Sequence, residues 1–211
     1  MPGVISSPLC IPPEADFRVP DTPRVTGEVS DTELRVLCYL CSELKPKHVF
    51  EIGTFRGRTT LGLAMNMGGG KIFTLDILTP PNNIGERDRS LMLPYEEIGA
   101  GYLSNNDYAS YIVQLYGDSK AFDFAPYYKL MDLVFIDGSH DFWSTLFDLY
   151  NAKQMVTETG TIICHDCADW ERGVTDAVNV FWQQYDLVGI RPEGTTLACF
   201  GKGIIDICSP H

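Results

Sequence analysis

Five polar clusters stand out along the chain: Glu51 to Gly57, Asp76, Asp118-Ser119, Asp137 to His140, and His165-Asp166. Each follows a short apolar run, so each is expected at the carboxyl end of a buried strand. In HVFEIGTFRGRTT, His48 to Thr60, a strand meets a glycine turn and then a helix start; KIFTLD follows and ends in the carboxylate of Asp76. Glycine lets a backbone approach a ligand closely. An acidic residue about 20 positions beyond such a turn can accept hydrogen bonds from ribose hydroxyls. The spacing therefore points to an adenosine nucleoside. Asp118 and Ser119 suit the far end of the same ligand or the cap of a helix, and the spacing leaves both open.

Asp137, His140 and Asp166 are the groups suited to proton chemistry. Histidine has an unperturbed pKa of about 6.5, which suits a base near neutrality. Asp137 and Asp166 are expected on adjacent strand ends, where a divalent cation can bridge them, with His165 as a further donor. Hard oxygen ligands favour Mg²⁺ over Zn²⁺. The structural alternatives are a helix-capping carboxylate near Arg172 for Asp166 and a packed turn residue for His140. Cys38/Cys41 and Cys164/Cys167 have the CxxC spacing found in zinc sites. The first pair shares the apolar face of a helical pattern with Leu34, Leu37 and Leu44, so core thiols are expected.

The scaffold follows from the punctuation. Ser30-Asp31-Thr32-Glu33 reads as a capping box opening a helix to about Leu44, closed by Pro46. Strands are expected at Val49–Ile52, Lys71–Leu75, Ile112–Tyr116, Met131–Ile136 and Thr161–Cys164, with two closing strands at Leu187–Ile190 and Thr196–Phe200. Helices are expected at Arg58 to Met67, Glu86 to Gly99, Asp141 to Val156 (stopped by Gly160) and Arg172 to Tyr185. The alternation implies an α/β, doubly wound, mostly parallel seven-stranded sheet with helices on both faces and the last strand antiparallel. Residues 1–29 are proline-rich and read as an arm or lid rather than a folded element; 30–211 form the domain. Ile77 to Ser110 is long for one crossover, and long connections are often functional.

The 211 residues are 45% hydrophobic and 21% charged, a globular composition. A net charge of −12 argues against a nucleic-acid partner. The lone basic cluster noted, Arg56 and Arg58, is too small to track a phosphate backbone. No apolar stretch is long enough for a membrane span. An odd count of seven cysteines without a disulfide framework suits a reducing, cytoplasmic setting. A homo-oligomer is compatible with the sequence.

FEIGTFRGRTT, TLDI, YGDS, VFIDGSHDF and the His-Asp pair after TIIC resemble the class I S-adenosylmethionine-dependent methyltransferases, specifically the small-molecule O-methyltransferases that include macrolide-sugar enzymes. The resemblance covers about Asp31 to Lys202. It implies a Rossmann-like methyltransferase domain over 30–211, S-adenosylmethionine as cofactor and a small hydroxylated acceptor such as a sugar or secondary metabolite. It assigns the methionine end of the cofactor to Glu51, directly or through water, with Gly53, Thr54, Phe55 and Gly57 forming the loop beneath. Asp76 and Ile77 take the ribose, Asp118 and Ser119 the adenine end. Asp137 stands beside the sulfonium, His140 acts as base, and Asp137 and Asp166, with Mg²⁺ or without it, organise the acceptor. Two positions depart from the family pattern: Phe55 stands where a glycine is commonest, and His165 where metal-dependent relatives often carry an acidic residue. Two rival functions remain: a non-catalytic nucleoside-binding or regulatory module, and a nucleotide-dependent oxidoreductase, against which the absence of GxGxxG counts.

Overall fold

The computed structural model describes residues 4–7, 11–78, 86–99, 103, 106–185, 187 and 189–208. Strands β1 (Val4–Ser7), β2 (His48–Ile52), β3 (Lys71–Asp76), β4 (Ile112–Tyr116), β5 (Met131–Ile136), β6 (Val156–Cys164), β7 (Gly189–Pro192) and β8 (Ala198–Phe200) form one sheet. Its order is β1-β7-β8-β6-β5-β2-β3-β4. β8 runs antiparallel to both its neighbours; the remaining pairings are parallel. Chain order reverses between β2 and β5, the switch point at which such sheets bind ligands. The seven strands expected from the sequence are present. The arm corrects its expectation, because Val4–Ser7 adds an eighth strand alongside β7 and so pairs an otherwise open edge.

Helices α1 (Asp31–Leu44), α2 (Arg58–Asn66), α3 (Glu86–Leu91), α4 (Phe142–Met155), α5 (Arg172–Tyr185) and α6 (Lys202–Cys208) complete the fold. The capping box of α1 forms as read, with Ser30 and Glu33 each bonding the other's backbone N–H. The helix read at Glu86 to Gly99 is shorter, with only a 3₁₀ turn at Tyr95–Glu97 following α3. Pro80-Pro81, Asn82-Asn83 and Asn105 lie outside the described residues. Gly160 does not follow a helix stop: β6 already starts at Val156, with its register shifting opposite Met131 and Leu133. A Cβ at Gly160 would sit 2.9 Å from the Met131 carbonyl oxygen, so the strands approach closely there. α6 had no sequence expectation; its Ile204 is fully buried in the core beneath α1.

Alternation along the strands divides the core into two layers. Phe50, Val134, Ile136, Ile162 and Cys164 face α4 and α5, while Val49, Leu133, Phe135 and Ile163 face α1 and α2. Cys38 and Cys41 are buried in the second layer and Cys164 and Cys167 in the first, so the two CxxC pairs lie on opposite faces of the sheet. Burial pushes the Cys38 thiol up to about 12, leaving a protonated core side chain. No helix among the described residues is long and apolar enough to cross a membrane.

Phe50 is fully buried at the centre of a ring cluster with Phe73, Phe122, Phe124 and Tyr127. Phe50→Ala is expected to destabilise the domain by about 3–5 kcal/mol, read by denaturant unfolding.

Candidate active site

The strand ladders continue past their ends and bring the polar clusters into register. Gly53 N–H donates to the Leu75 carbonyl, Asp137 N–H to that of Ile52, and His165 N–H to that of Ile136. Asp137 and His165 thus become neighbours because Ile136 and Cys164 are paired. Gly53 has φ +100°, and a Cβ there would fall 2.0 Å from the Asp137 carbonyl oxygen, so only glycine permits this approach. Above these ends lies a cleft of about 790 Å³.

Gly53, Phe55, Asp76, Ile77, Asp118 and Ser119 line this cleft, as do Asp137, His140, His165 and Asp166. Asp76 accepts the backbone N–H of Phe55 at 2.6 Å and its own neighbour's, Ile77, at 2.7 Å. Burial raises its pKa, against the effect of those donors. Phe55 adopts φ +49°, the left-handed region, which accounts for glycine being the commoner residue at that position.

Glu51, Thr54 and Gly57 are not among the cleft-lining residues. Glu51 is fully buried, and one of its carboxyl oxygens accepts the hydroxyls of Thr60 and Thr74. Burial lifts its pKa to about 8, with Asp137 and Asp76 adding to the shift and the two threonines opposing it. Burial thus favours its protonated form, and the side chain braces Thr60 and Thr74 below the cleft floor. Thr54 turns its hydroxyl to Thr74 at 2.6 Å, and Gly57 is the N-cap of α2 with φ +89°. Both shape the loop from outside the cleft.

The proton-handling groups form two chains. In the first, His140 Nδ1 is 2.5 Å from Asp88 Oδ1 and Nε2 is 2.8 Å from Asp166 Oδ2. Burial works against the charged ring, but the bonds to Asp166 and Asp88 outweigh it and raise the pKa to about 9. In the second, His165 Nδ1 is 2.8 Å from Asp137 Oδ1 and Nε2 is 3.3 Å from Glu33 Oε2. Burial again opposes the charge, and Asp137 and Glu33 raise His165 to about 11. Glu33 is held well below the usual carboxylate range: burial alone would raise it, and His165, Ser30 and Thr196 together more than offset that. The near-neutral titration expected for His140 is therefore corrected upward, since both its ring nitrogens face carboxylates.

Asp88 and Glu33 are site residues that the sequence reading missed. Glu33 was legible as a capping residue, and it also accepts Thr196 N–H and hydroxyl at 2.8 and 2.7 Å. Asp88 lies on α3 inside the irregular connection, where nothing in its spacing marks it out. Trp143 and Trp170, 74% and 75% exposed, stand at the cleft as well. The donor atoms of Asp137, His165 and Asp166 come within 4.8 Å of one another.

A nucleoside-sized cleft at the switch point of a doubly wound sheet, with a carboxylate at the end of β3, has the form of the class I methyltransferases. Solved structures with this fold include the O-methyltransferase NovP, at 16% identity and a TM-score of 0.63 over 81% of this chain and 79% of that one. The O-methyltransferase TomG from Streptomyces achromogenes, involved in tomaymycin synthesis and solved with S-adenosylmethionine, has 16% identity and a TM-score of 0.60 over 83% and 82%. An O-methyltransferase from Bacillus cereus, solved with S-adenosylhomocysteine, has 15% identity and a TM-score of 0.59 over 84% of each chain. At these identities the likeness is one of fold. No curated protein sequence matches the chain. A family model described as a methyltransferase domain matches residues 50–167, more than half of the chain. The chain belongs to that methyltransferase family.

The first proton chain has a direct readout. By nuclear magnetic resonance His140 is expected to titrate near 9, and Asp88→Asn to lower that value by removing a charge that favours the imidazolium. The folded value lies above the unfolded one of about 6.5. The pair's stabilisation is accordingly full below about 6.5 and fades as the pH rises through about 9.

Proposed function

We propose that this protein is an S-adenosylmethionine-dependent O-methyltransferase acting on a small hydroxylated acceptor, a sugar or secondary metabolite. The observation that carries the reading is the presence in one cleft of Asp76 and of His140 set between Asp88 and Asp166. The donor set suits the cofactor: Asp76 for ribose hydroxyls, Asp118 and Ser119 for the adenine end, and Asp137 beside the sulfonium. When bound, the cofactor supplies a methyl group already activated by positive sulfur. The protein's tasks are to hold the acceptor oxygen in line and to take its proton. His140 takes that proton once it has itself lost one, and Asp88 and Asp166 hold its ring in place. A base with a raised pKa works best on the alkaline side. Trp143 and Trp170 offer ring faces to the acceptor at the cleft, and Arg24, Gly27 and Glu28 of the arm line it as a lid. Oxygen as the atom methylated is supported by the O-methyltransferases that share the fold. Described cysteines without disulfides suit work in the cytoplasm.

Mg²⁺ fits this donor set poorly. It prefers an octahedron of oxygen ligands, whereas Asp137 and Asp166 already face imidazole nitrogens at 2.8 Å. No step is assigned to a metal.

Calorimetry with S-adenosylmethionine, S-adenosylhomocysteine and NADH tests the cofactor assignment, and binding of NADH alone would refute it. Asp76→Ala is expected to weaken cofactor binding by about 1.5–3 kcal/mol, the range for hydrogen bonds to a charged group. With an acceptor in hand, His140→Ala should lower turnover by about 10²–10⁴-fold with little change in cofactor affinity. Wild-type turnover should rise with pH toward about 9, and Asp88→Asn should move that rise to lower pH.

A further inference from the structure

The ring of His165 is set among the strand-end aspartates and Glu33. Its Nδ1 lies 2.8 Å from Asp137 Oδ1 and 3.7 Å from Asp166 Oδ1. On the far side of the ring, Nε2 lies 3.3 Å from Glu33 Oε2. Glu33 is itself fixed, accepting from Ser30 at one oxygen and from Thr196 at the other. Ionised carboxylate oxygens only accept hydrogen bonds. An imidazole with such oxygens at both nitrogens therefore presents an N–H to each.

We propose that His165 is the built-in cation of this site, bridging Asp137 and Asp166 in place of a divalent ion, so that the protein works with no resident metal. The proximity of the three donors is not the discriminating feature, because a histidine bridge and a metal site both bring them together. What discriminates is that both ring nitrogens face carboxylates, so a ring that donates at each offers no lone pair to a metal. A divalent ion bound there would have to displace that N–H from Asp137. It would also leave Glu33, 6% exposed, facing a neutral ring. His165 acts as a positioning residue: it sets the geometry of Asp137 and Asp166 and offsets their charge. The inference deepens the methyltransferase reading, but its test needs neither acceptor nor turnover, so the two can fail separately.

The test is Mn²⁺ binding by the full chain, followed by the electron paramagnetic resonance signal of the free ion. The wild type is expected to leave millimolar Mn²⁺ free, with and without S-adenosylhomocysteine. His165→Asp, which supplies a third carboxylate, is expected to bind about one Mn²⁺ per chain and to lose it when Asp137→Asn is added. Stoichiometric binding by the wild type overturns the proposal, as does a folded His165→Asp chain that binds none or binds independently of Asp137. If His165→Asp does not fold, the wild type decides alone. Long-range ¹H–¹⁵N spectra at neutral pH are then expected to show both His165 nitrogens protonated and unmoved by Mg²⁺; an unprotonated Nδ1, or a shift on adding Mg²⁺, overturns it.

Discussion

Buried negative charge is the constraint around which this molecule is arranged. Glu33, Asp88, Asp137 and Asp166 converge beyond the ends of β5 and β6, Glu33 buried and the other three half-buried at the cleft. Uncompensated, each would carry a desolvation cost of several kcal/mol. Compensation comes from two rings set between carboxylates, in the order Asp88–His140–Asp166 and Glu33–His165–Asp137. Because both chains end on residues from distant segments, the start of α1 and the position of α3 are tied to the same electrostatic balance that prepares the cleft. Losing one member leaves a partly desolvated charge without its partner and destabilises the fold.

Much of this was legible because sheets of this kind announce their strand ends. Apolar runs stopped by Gly53, Asp76, Asp137 and His165 located both the strands and the cleft, since backbone register alone carries the polar residues that follow into one row. The capping box of α1 was readable for a similar reason, being a local hydrogen-bond pattern. What escaped was tertiary. Glu33 satisfies the local rule for a cap completely, so its second role leaves no trace in the spacing. Asp88 is one acid among several in an irregular connection, and only the packing of α3 over the cleft selects it. The direction in which Glu51 points could not be read either, because a strand-end carboxylate can turn toward the ligand or toward Thr60 and Thr74 beneath.

Of the two departures from the family pattern, Phe55 lies where the backbone is unusual, and His165 directly precedes such a residue, Asp166. Phe55 at φ +49° and Asp166 at φ +56° both hold left-handed conformations, which cost roughly 1–2 kcal/mol for residues other than glycine. At Phe55 the ring has moved up against Gly27 of the arm, where a Cβ would meet it at 3.2 Å. A glycine at that position would make the turn equally well but provide no such contact. At Asp166 the turned backbone belongs to the residue that His140 engages, which is consistent with strain being held where geometry matters most.

Glu33 and Thr196 are separated by 163 residues of chain, yet one carboxylate joins them. During synthesis Glu33 is made well before its distant partners, with its helix cap already available to it. His165 follows much later, and the segment carrying Thr196 later still. Until then the nascent domain carries an acidic group destined for burial whose partners have not been made. Burial of Glu33 therefore waits on segments made long after it: a chain that stops before Thr196 would lack the two hydrogen bonds from Thr196 and also β8, the strand that joins β6 to β7.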